Sequence, residues 1–426
     1  MATVVRPKGS MVEPGMKLAI DAARRRVRLD PRDPEFFNDP YRAYAAIHAA
    51  SPVFFWEDYG FWCFARHADV SALLRDRRFG RQITHLMSRT ELGWPEPKSH
   101  LQPFDALERH SILELEPPEH TRLRNLVNRA FVSRRIERLR PEIEALAHER
   151  IDAFADRGSA DLAAEFAAPI PVAVIADLIG VPRAMGPQLV EWSHRMVAMY
   201  QHGVTRAVEE RAAEAARTFA DFIRDFARAR RGDPGDDLVS QLLVAESDGG
   251  RLSEDELVAT VVLLLNAGHE ATVQAIGNGV RTILDEGVDA RLAFAGESAT
   301  AATVEELLRL DPPLHLFTRY ALEDAEFAGV RLKKGERIGL MLGAANRDPQ
   351  RFPNPDVFDA ARAPNPHVSF GAGVHFCVGA PLARLELGVA LPILFARLPG
   401  LRLAEPPRAR DAFHFHGLAA LRVEWG

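Results

Sequence analysis

The chain has 426 residues, 47% of them hydrophobic and 26% charged, which is the composition of an ordinary soluble protein that can bury a large core. Length alone would allow two or three domains. The formal net charge of −6 gives no electrostatic footprint for nucleic acid, so we expect no nucleic-acid partner.

The cysteine content and the hydrophobic runs indicate the cellular compartment. Two cysteines, Cys63 and Cys377, cannot form a disulfide framework, and residues 1–15 lack the apolar stretch of a signal peptide or membrane anchor. The most hydrophobic run, residues 257–268, is shorter than the roughly 20 apolar residues of a membrane span. We therefore expect a cytoplasmic protein that does not bind a membrane.

Helical patterns dominate the sequence, and strand patterns are few and short. Residues 52–66 alternate like a hairpin, residues 325–342 predict a second pair of strands around Lys334-Gly335, and residues 414–425 predict a terminal strand. No repeat, low-complexity segment or linker divides the sequence. The predicted fold class is therefore mainly α with small β-sheets (α+β), in a single domain over residues 1–426 with residues 1–16 flexible.

The longest helical pattern covers residues 253–285, where Ser253 and Glu256 predict a capping box at its start. A helix of this length is about 48 Å long and crosses a whole domain. Its middle is apolar on all sides but contains the polar sequence NAGHEAT, in which Gly268 costs about 1 kcal/mol relative to alanine and the Glu270 carboxylate is costly to bury. A flat, bulky group approaching the helix would explain both residues; a polar kink without chemistry is the alternative.

Two further motifs lie in the C-terminal part of the sequence. Glu306 and Arg309 share one helical face, a pairing that is weak on a surface and needs another partner, such as Arg362, if it is buried. Residues 370–379 (FGAGVHFCVG) form a glycine-rich loop that runs straight into a helix and holds Cys377 near its start. A cysteine in that position serves either packing or chemistry.

Together these motifs resemble the cytochrome P-450 family of haem-thiolate monooxygenases, from about Asp30 to Gly426. The haem-loop pattern FxxGxHxCxG of the family matches at every specified position, by Phe370, Gly373, His375, Cys377 and Gly379. The ExxR motif matches at Glu306 and Arg309, with Arg362 as its third, structural member. The sequences NRDPQRFPNPDVFD (346–359) and LEPPEHTRLRNLV (115–127) match the meander of the family and the entry to its C-helix.

The resemblance implies the P-450 fold, with a long central helix over haem b (iron protoporphyrin IX) and the cysteine loop beneath it. It implies that the Cys377 thiolate is the axial ligand of the iron. We expect the position of Cys377 at a helix N-terminus to lower the pKa of its thiol, and we expect Cys63 to be a small buried residue. The other residues that the resemblance assigns to the cofactor are His120, Arg124, Ala267, Arg319, Phe370, Gly371, His375 and Gly379, with His120, Arg124, Arg319 and His375 at the propionates.

The resemblance assigns catalysis to Glu270, Ala271 and Thr272, where the sequence departs from the family. An acid followed by threonine is usual there, but Ala271 has neither a hydrogen-bond donor nor an acceptor in its side chain. Thr272 lies about 100° further around the helix. A water, a substrate hydroxyl or a rotated helix segment that brings in Thr272 must then complete proton delivery, with Glu270 as the proton source and His269 turned away.

The resemblance places a small hydrophobic substrate against Leu314, Leu316, Phe317, His414 and Phe415, an apolar and partly aromatic lining. Residues 82–105 and 185–205 complete the wall. His85, His315 and His414 are the candidates for orienting a polar group of the substrate. The chemical class of the substrate stays open.

A basic segment, residues 121–140, indicates the redox partner. It contains one acidic residue, Glu137, and seven arginines: Arg122, Arg124, Arg129, Arg134, Arg135, Arg138 and Arg140. In bacterial soluble members of the family this face receives a ferredoxin or flavodoxin that an NAD(P)H reductase supplies with electrons, and charge steering would explain the patch. A merely solvated basic helix is the alternative. The sequence shows no flavin or iron–sulfur domain, so we expect separate redox partners, and we expect a monomer.

The expected activity is the insertion of one oxygen atom from O2 into a hydrophobic small molecule, a hydroxylation. Because Ala271 replaces the usual threonine, peroxide-dependent or oxidative-coupling chemistry without O2 insertion is the alternative.

Overall fold

The computed structural model describes residues 10–12, 15–131, 136–247 and 250–426. Most of residues 1–16, for which the sequence predicts flexibility, lie outside these ranges. Helices predominate over small sheets in the described residues, which confirms the predicted fold class.

The helices are given in chain order. They are α1 Pro34–Asn38, α2 Pro40–Ala50, α3 His67–Leu73, α4 Gln102–Glu108, α5 Glu119–Ala130, α6 Arg140–Asp152, α7 Pro169–Ile179, α8 Gly186–Val197, α9 Arg206–Gly232, α10 Leu238–Val244, α11 Glu254–Asp285, α12 Ala290–Ala293, α13 Glu297–Leu310, α14 Leu342–Ala345 and α15 Ala380–Arg397. Short helical turns lie at Ser99–Leu101, Ala155–Arg157, Ala163–Ala167, Arg183–Met185, Ala198–Tyr200 and Gly373–His375.

The strands are short, and most of them belong to one sheet. They are β1 Ser10–Val12, β2 Ala19–Asp21, β3 Arg26–Arg28, β4 Val53–Trp56, β5 Phe61–Phe64, β6 Phe79–Gly80, β7 Ser159–Asp161, β8 Glu246–Ser247, β9 Gly250–Arg251, β10 Leu316–Ala321, β11 Ala325–Phe327, β12 Val330–Leu332, β13 Arg337–Met341, β14 Arg402–Leu403, β15 Arg408–Ala409, β16 Leu418–Ala420 and β17 Arg422–Glu424. The largest sheet has eight strands in the order β1-β2-β3-β4-β5-β13-β10-β6.

Two of the three strand predictions agree with the structure. The hairpin in residues 52–66 is formed by β4 and β5, with Val53 opposite Phe64 and Trp56 opposite Phe61. Strands β16 and β17 form the predicted terminal strand region, although they belong to different small sheets.

The predicted strand pair around Lys334-Gly335 is wrong. Strand β12 pairs with β11, whereas β13 runs antiparallel to β10 and parallel to β5. The turn at Gly335 exists, with φ +91°, but the Gly335 N–H donates to the carbonyl of Ala321 on β10 and thereby carries the chain to a different sheet. Because Ile338 and the next three residues of β13 are buried, the strand gains more from two distant neighbours than from the strand before it.

The central helix α11 forms as predicted. Ser253 and Glu256 make a reciprocal capping box at its start, and the helix packs against α7, α9 and α15 in the main hydrophobic core. Among the described residues α11 is the one helix long and apolar enough to cross a membrane, but 67% of its most apolar window is buried inside the protein. It is therefore the core helix around which the site is built.

A protein neighbour accounts for Gly268 in this helix. A Cβ atom at Gly268 would lie 3.0 Å from Cδ1 and Cγ1 of Ile175 on α7, which is tighter than ordinary van der Waals contact. The glycine thus lets α7 approach α11, and the approach of a flat group is not needed to explain it.

Candidate active site

One cavity of about 680 Å³ lies between the central helix α11 and the cysteine loop, residues 370–379. The helix contributes Ala267, Gly268, Glu270, Ala271 and Thr272 to its lining. The loop and its flank contribute Phe370, Gly371, His375, Cys377 and Gly379, and the side walls contain Leu314, Leu316, Phe317, Arg319, His414 and Phe415. Residues more than a hundred positions apart in the sequence therefore face one space.

The glycines of the cysteine loop are required by its backbone. Gly371 and Gly373 have φ of +67° and +71°, in the left-handed region that favours glycine. A Cβ atom at Gly373 would lie 2.4 Å from the carbonyl oxygen of Leu74, so no larger residue fits there. The Cys377 N–H donates to the carbonyl of Phe370 at 3.0 Å and closes the loop. The thiol is thereby held at the cavity, three residues before α15.

The thiol of Cys377 does not have the low pKa that its position predicts. Burial raises the pKa of this thiol above its ordinary value, although the backbone N–H groups of Gly379 and Ala380 and the charge of Arg124 favour the thiolate. Burial outweighs the helix N-terminus because the sulfur has lost its water and gains no full positive charge in direct contact. A thiolate at neutral pH therefore requires a cation bound at the sulfur, and a metal ion is one that supplies it.

Arg319 is a buried cation without a carboxylate hydrogen-bonded to it in the described residues. It is 2% exposed, its Nη1 donates to the carbonyl of its neighbour Thr318 at 2.9 Å, and its guanidinium lies over the Phe317 ring. Burial and the charge of Arg81 lower the pKa of Arg319 to about 9. A buried charge in this state is costly unless an anion joins it.

His120 and His375 lie side by side, with ring centroids 4.4 Å apart; His375 lines the cavity, whereas His120 is absent from its lining. The His120 Nδ1 is buried and has no hydrogen-bond partner in the described part of the chain, and burial with the nearby His375 lowers the pKa of His120 to about 4. His375 Nε2 faces the Glu116 carboxylate at 3.3 Å. Arg124 also lines the cavity, and its Nη2 donates to the Phe376 carbonyl of the cysteine loop at 2.6 Å.

These features fit a flat, dianionic group with a metal at its centre. The Cys377 sulfur offers a ligand from below, while Arg319 and His120 offer polar atoms that the protein leaves without an adequate partner. Haem has this shape and carries two carboxylates, so the residues present fit a haem.

The Glu270 carboxylate is ionised by its partners. Its Oε2 lies 2.9 Å from His194 Nε2 on α8, and its Oε1 accepts a hydrogen bond from Arg410 Nη1 at 2.7 Å. Burial alone would raise the pKa of Glu270, but the His194 hydrogen bond and the Arg410 charge lower it to about 2. Glu270 is therefore ionised at neutral pH, and its carboxylate accepts hydrogen bonds; its role in proton delivery stays a prediction.

The residues on either side of Glu270 have distinct positions. Thr272 reaches the cavity, but its hydroxyl donates to the Gly268 carbonyl of its own helix at 3.2 Å. Ala271 also lines the cavity and leaves space there. His269 is absent from the cavity lining, as predicted, and its Nδ1 lies 2.7 Å from the Leu265 carbonyl.

A second acid of the cavity was missed in the sequence. Glu386 on α15 lines the cavity, is 1% exposed, and neither carboxyl oxygen has a hydrogen-bond partner in the described residues. Burial raises the pKa of Glu386 well above its ordinary value. Burial thus favours the uncharged form of Glu386, whereas the partners of Glu270 favour its ionised form. Its place in the sequence PLARLE, six residues after the start of α15, was the only signal.

The structural motif is a buried network. Arg309 Nε and Nη2 donate to the Glu306 carboxylate at 2.7 and 2.8 Å, and Arg362 Nε donates to it at 3.2 Å. Glu306 and Arg309 are both 0% exposed, which rules out a weak surface pair. Asn365 and the Asp359 N–H, which sequence reasoning missed, complete the ligation of Glu306.

The predicted substrate residues fall into two groups. Leu314, Leu316, Phe317, His414 and Phe415 all line the cavity, and burial lowers the pKa of His414 to about 4. His85 and His315, which were predicted to orient a polar group of the substrate, do not line the cavity. His85 is exposed and absent from the lining, and His315 is buried behind it, with Nδ1 2.8 Å from the Tyr44 hydroxyl.

The basic segment is only partly described. Arg134 and Arg135 lie outside the described residues. Arg122 is paired with Glu256 of the central helix and Arg140 with Glu137, so some of the predicted positive charge is neutralised locally.

Comparison with known proteins agrees with the geometry. The Cytochrome P-450 family model matches residues 299–399. The polyketide biosynthesis cytochrome P-450 PksS of Bacillus subtilis (strain 168) is 35% identical over 408 residues, which are 93% of this chain and 98% of that protein. The 6-deoxyerythronolide B hydroxylase of Saccharopolyspora erythraea is 37% identical over 379 residues, covering 88% of this chain and 92% of that protein.

Solved structures have the same fold. The structure of BioI in complex with an acyl carrier protein ligated to hexadec-9Z-enoic acid matches with a TM-score of 0.85 and 33% identity, covering 92% of this chain and 100% of that one. PksS matches with a TM-score of 0.84. With such identity over nearly its whole length, and with a cysteine loop facing a central helix across one cavity, the chain belongs to the cytochrome P-450 family of monooxygenases, oxidoreductases that carry a cysteine-ligated haem.

Proposed function

We propose that the protein hydroxylates a lipophilic small molecule with O2, using electrons from NAD(P)H that a separate ferredoxin or flavodoxin delivers. The observation that carries this proposal is the single cavity with the Cys377 sulfur on one side and the Glu270 and Ala271 positions on the other. The substrate lies between them, against the apolar wall of Leu314, Leu316 and Phe415.

The roles of the binding residues follow from their contacts. Cys377 ligates the iron of haem b, Arg319 and His120 bind the propionates, and Arg124 holds the loop. When bound, haem with a thiolate ligand supplies oxygen activation, which is a known property of haem-thiolate proteins. The buried network of Glu306, Arg309 and Arg362 joins helix α13 to the segment that precedes the loop, through the carbonyls of Asn346 and Pro355.

Proton handling belongs to the side chains of the cavity. The Glu270 carboxylate contacts His194, whose side chain is 45% exposed to solvent, and so connects the cavity to the surface. Burial favours the protonated form of Glu386, which makes it a second candidate proton donor. Because the Thr272 hydroxyl is occupied by the Gly268 carbonyl, a water or a substrate hydroxyl in the space beside Ala271 carries the proton onward.

The names of the relatives support the substrate class. PksS is named for polyketide biosynthesis, and two further relatives are named as a 6-deoxyerythronolide B hydroxylase and a mycinamicin IV hydroxylase/epoxidase. We infer a medium-sized polyketide-like or fatty-acyl-like substrate, free or carried by an acyl carrier protein. We further propose that residues 1–426 form one haem-binding domain and that the protein is a cytoplasmic monomer.

The iron ligand is tested by Cys377→His. The holoprotein should bind haem but lose the red-shifted Soret band that the ferrous–carbonyl complex of a thiolate-ligated haem shows. Cys63→Ala is the matched control, since Cys63 is buried in β5 away from the cavity, and it should keep that band. An unchanged band in Cys377→His would overturn the assignment.

The reaction is tested with the reconstituted system of ferredoxin, reductase, NAD(P)H and isotopically labelled O2. One labelled oxygen atom should enter the product. Turnover with hydrogen peroxide but none with the reductant would contradict the proposed oxygen insertion.

A further inference from the structure

Four polar side chains that the proposed reaction does not use line the same cavity. They are Arg81, Glu108 at the end of α4, Glu114, and Tyr200 in the turn after α8. Sequence reasoning found none of them individually, because they come from separate segments, although Tyr200 lies in the predicted wall region 185–205. The fold places them together against an otherwise largely apolar wall.

The hydrogen bonds of this cluster leave one acceptor free. The Tyr200 hydroxyl donates to Glu108 Oε1 at 2.9 Å, but Oε2 of Glu108 has no hydrogen-bond partner in the described residues. Glu108 is half-buried by its exposed area and lies deep in the protein, so the exposed part of its side chain faces the cavity. The free oxygen is thus available to a molecule in the cavity.

The only cation of the cluster is already engaged. Arg81 pairs with Glu114, its Nη1 donates to the carbonyl and hydroxyl of Thr318 at 2.9 and 3.0 Å, and its guanidinium lies 4.4 Å from the centre of the Phe317 ring. These contacts direct Arg81 toward Glu114 and Thr318. Glu108 is left without a salt bridge in the described residues.

The charges that face Glu108 are predominantly negative. Glu114 and Asp105 act against ionisation of Glu108, whereas Arg81 and the Tyr200 hydroxyl favour it. Burial, followed by the Glu114 charge, raises the pKa of Glu108 to about 8. Around Glu108, two carboxyl groups thus oppose one cation, and the Glu108 carboxyl is mostly uncharged at neutral pH until a cation arrives.

We propose that Glu108, supported by Tyr200 and Glu114, is a subsite for a cationic amine on the lipophilic substrate. The inference rests on the proposed function and specifies its substrate: an apolar body oxidised near Ala271, with a protonated or quaternary nitrogen at the opposite polar wall. A cation beside Glu108 favours the ionised carboxylate and supplies the counter-charge that this form lacks, with the free oxygen as its close contact. A neutral hydroxyl group could donate to the same oxygen but would not favour ionisation of Glu108.

The test compares three compounds with one chain length and different head charges: decyltrimethylammonium, decanol and decanoate. The quaternary nitrogen cannot ligate iron, so its binding reports on the pocket. Dissociation constants are measured on the ferric holoprotein by calorimetry and by the Soret shift. The cation should bind tightest to the wild type, and Glu108→Gln should weaken its binding about ten- to hundredfold while changing decanol binding little.

Asp105→Asn is the matched control, because Asp105 is on the same helix but absent from the cavity lining. It should change the affinity for the cation far less than Glu108→Gln does. Equal losses in both variants, or a wild type that prefers decanol or decanoate, would overturn the proposal.

The pH dependence gives a second readout. Since the cation binds the ionised carboxylate, its affinity should rise about tenfold per pH unit up to about pH 8 and then level off. Tyr200→Phe removes a hydrogen bond that favours ionisation and should move this midpoint to higher pH, which keeps the proposal testable if Glu108→Gln fails to fold. A flat profile would contradict the subsite.

Failure of this inference is distinguishable from failure of the proposed function. If the ferrous–carbonyl band is red-shifted and an uncharged substrate is hydroxylated without preference for a cation, the oxygenase stands and the amine subsite falls. If the wild type lacks the red-shifted band, the proposed oxygenase is wrong. The affinities for the three compounds, measured by calorimetry, still decide whether the cation is preferred.

Discussion

Glu270 and Glu386 line one cavity from two different helices, and the pKa values of their buried carboxyl groups are shifted in opposite directions. Glu270 has His194 and Arg410 as partners, and its pKa is about 2. Glu386 has no partner in the described residues, and burial raises its pKa. The exposed fractions of the two residues are 5% and 1%, so burial does not distinguish them. The difference teaches that the positions of cations decide which acid of this cavity holds a proton.

The largest effect is expected where a buried carboxylate loses its main cation. Arg309→Ala removes two hydrogen bonds of Glu306 and leaves Arg362 as its remaining cation. Because the buried charge is then poorly compensated, we expect a loss of about 3–5 kcal/mol in the free energy of unfolding and little folded holoprotein. Denaturant unfolding and haem content measure it.

The control for this variant is Arg331→Ala. Arg331 forms a pair with Glu326 at 3.8 Å, with side chains 93% and 66% exposed. It should change stability by less than about 0.5 kcal/mol. If the two variants were equally stable, the buried network would contribute no more than a surface pair.

Arg410→Gln makes Glu270 more similar to Glu386. It leaves His194 as the remaining partner, so the pKa of Glu270 should rise, and the loss of a charged hydrogen bond should cost about 2 kcal/mol at pH 7. In the wild type the depressed pKa stabilises the fold above the ordinary carboxyl range, and this contribution is lost as the pH falls toward about 2. In the variant the pKa of Glu270 is higher, so this contribution is lost at a higher pH. The difference in the free energy of unfolding between wild type and variant should therefore shrink as the pH falls from 7 to 4.

Unfolding curves at several pH values measure this difference. Arg422→Gln, which breaks the exposed contact of Arg422 with Glu405, is the control and should show no such pH dependence. A constant difference across the pH range would mean that Arg410 does not set the charge of Glu270.

Glu386→Gln tests the unpaired side of the comparison. A carboxyl with a raised pKa binds its proton more tightly in the folded state, so wild-type stability falls as the pH rises above the ordinary carboxyl range. Glutamine cannot ionise, and the variant should therefore gain about 1–2 kcal/mol relative to the wild type between pH 5 and pH 8. The constant cost of burying the amide cancels in this comparison. If the free energies of unfolding of the wild type and the variant changed with pH in the same way, burial would not control the charge of Glu386.

The smallest effect is expected at Ala271, where a space rather than a charge is altered. Ala271→Thr and Ala271→Val fill the same space with and without a hydroxyl. If a water or substrate hydroxyl occupies it, both variants should lower substrate affinity and reduce, by a few-fold, the fraction of NAD(P)H converted to product. The measurement combines NAD(P)H consumption, peroxide release and product.

If the fraction of NAD(P)H converted to product rises in Ala271→Thr alone, the enzyme merely lacks a hydroxyl at this position. If the fraction decreases in Thr272→Val, the proton relay belongs to Thr272, against the observation that its hydroxyl is bound to the Gly268 carbonyl.

Sequence reasoning succeeded where the structural cause is local. The capping box of Ser253 and Glu256, the hairpin of β4 and β5, and the glycine turns around Cys377 all depend on residues close in the chain. The Glu306, Arg309 and Arg362 contacts were predictable because two of the three residues share a helical face. The partners of strand β13 were not predicted, because β10 and β5 are distant in the chain and pair with β13 through burial in the sheet.

The sequence by itself determined the family motifs, the central helix, the Cys377 thiol in the glycine-rich loop and the missing hydroxyl at Ala271. Only the tertiary structure decided the ionisation of the cavity groups: the raised pKa of Cys377, Glu386 and Glu108 and the lowered pKa of Glu270. The physical reason is that a pKa depends on the water a group loses and on the charges within a few ångströms, and both are set by segments distant in the chain.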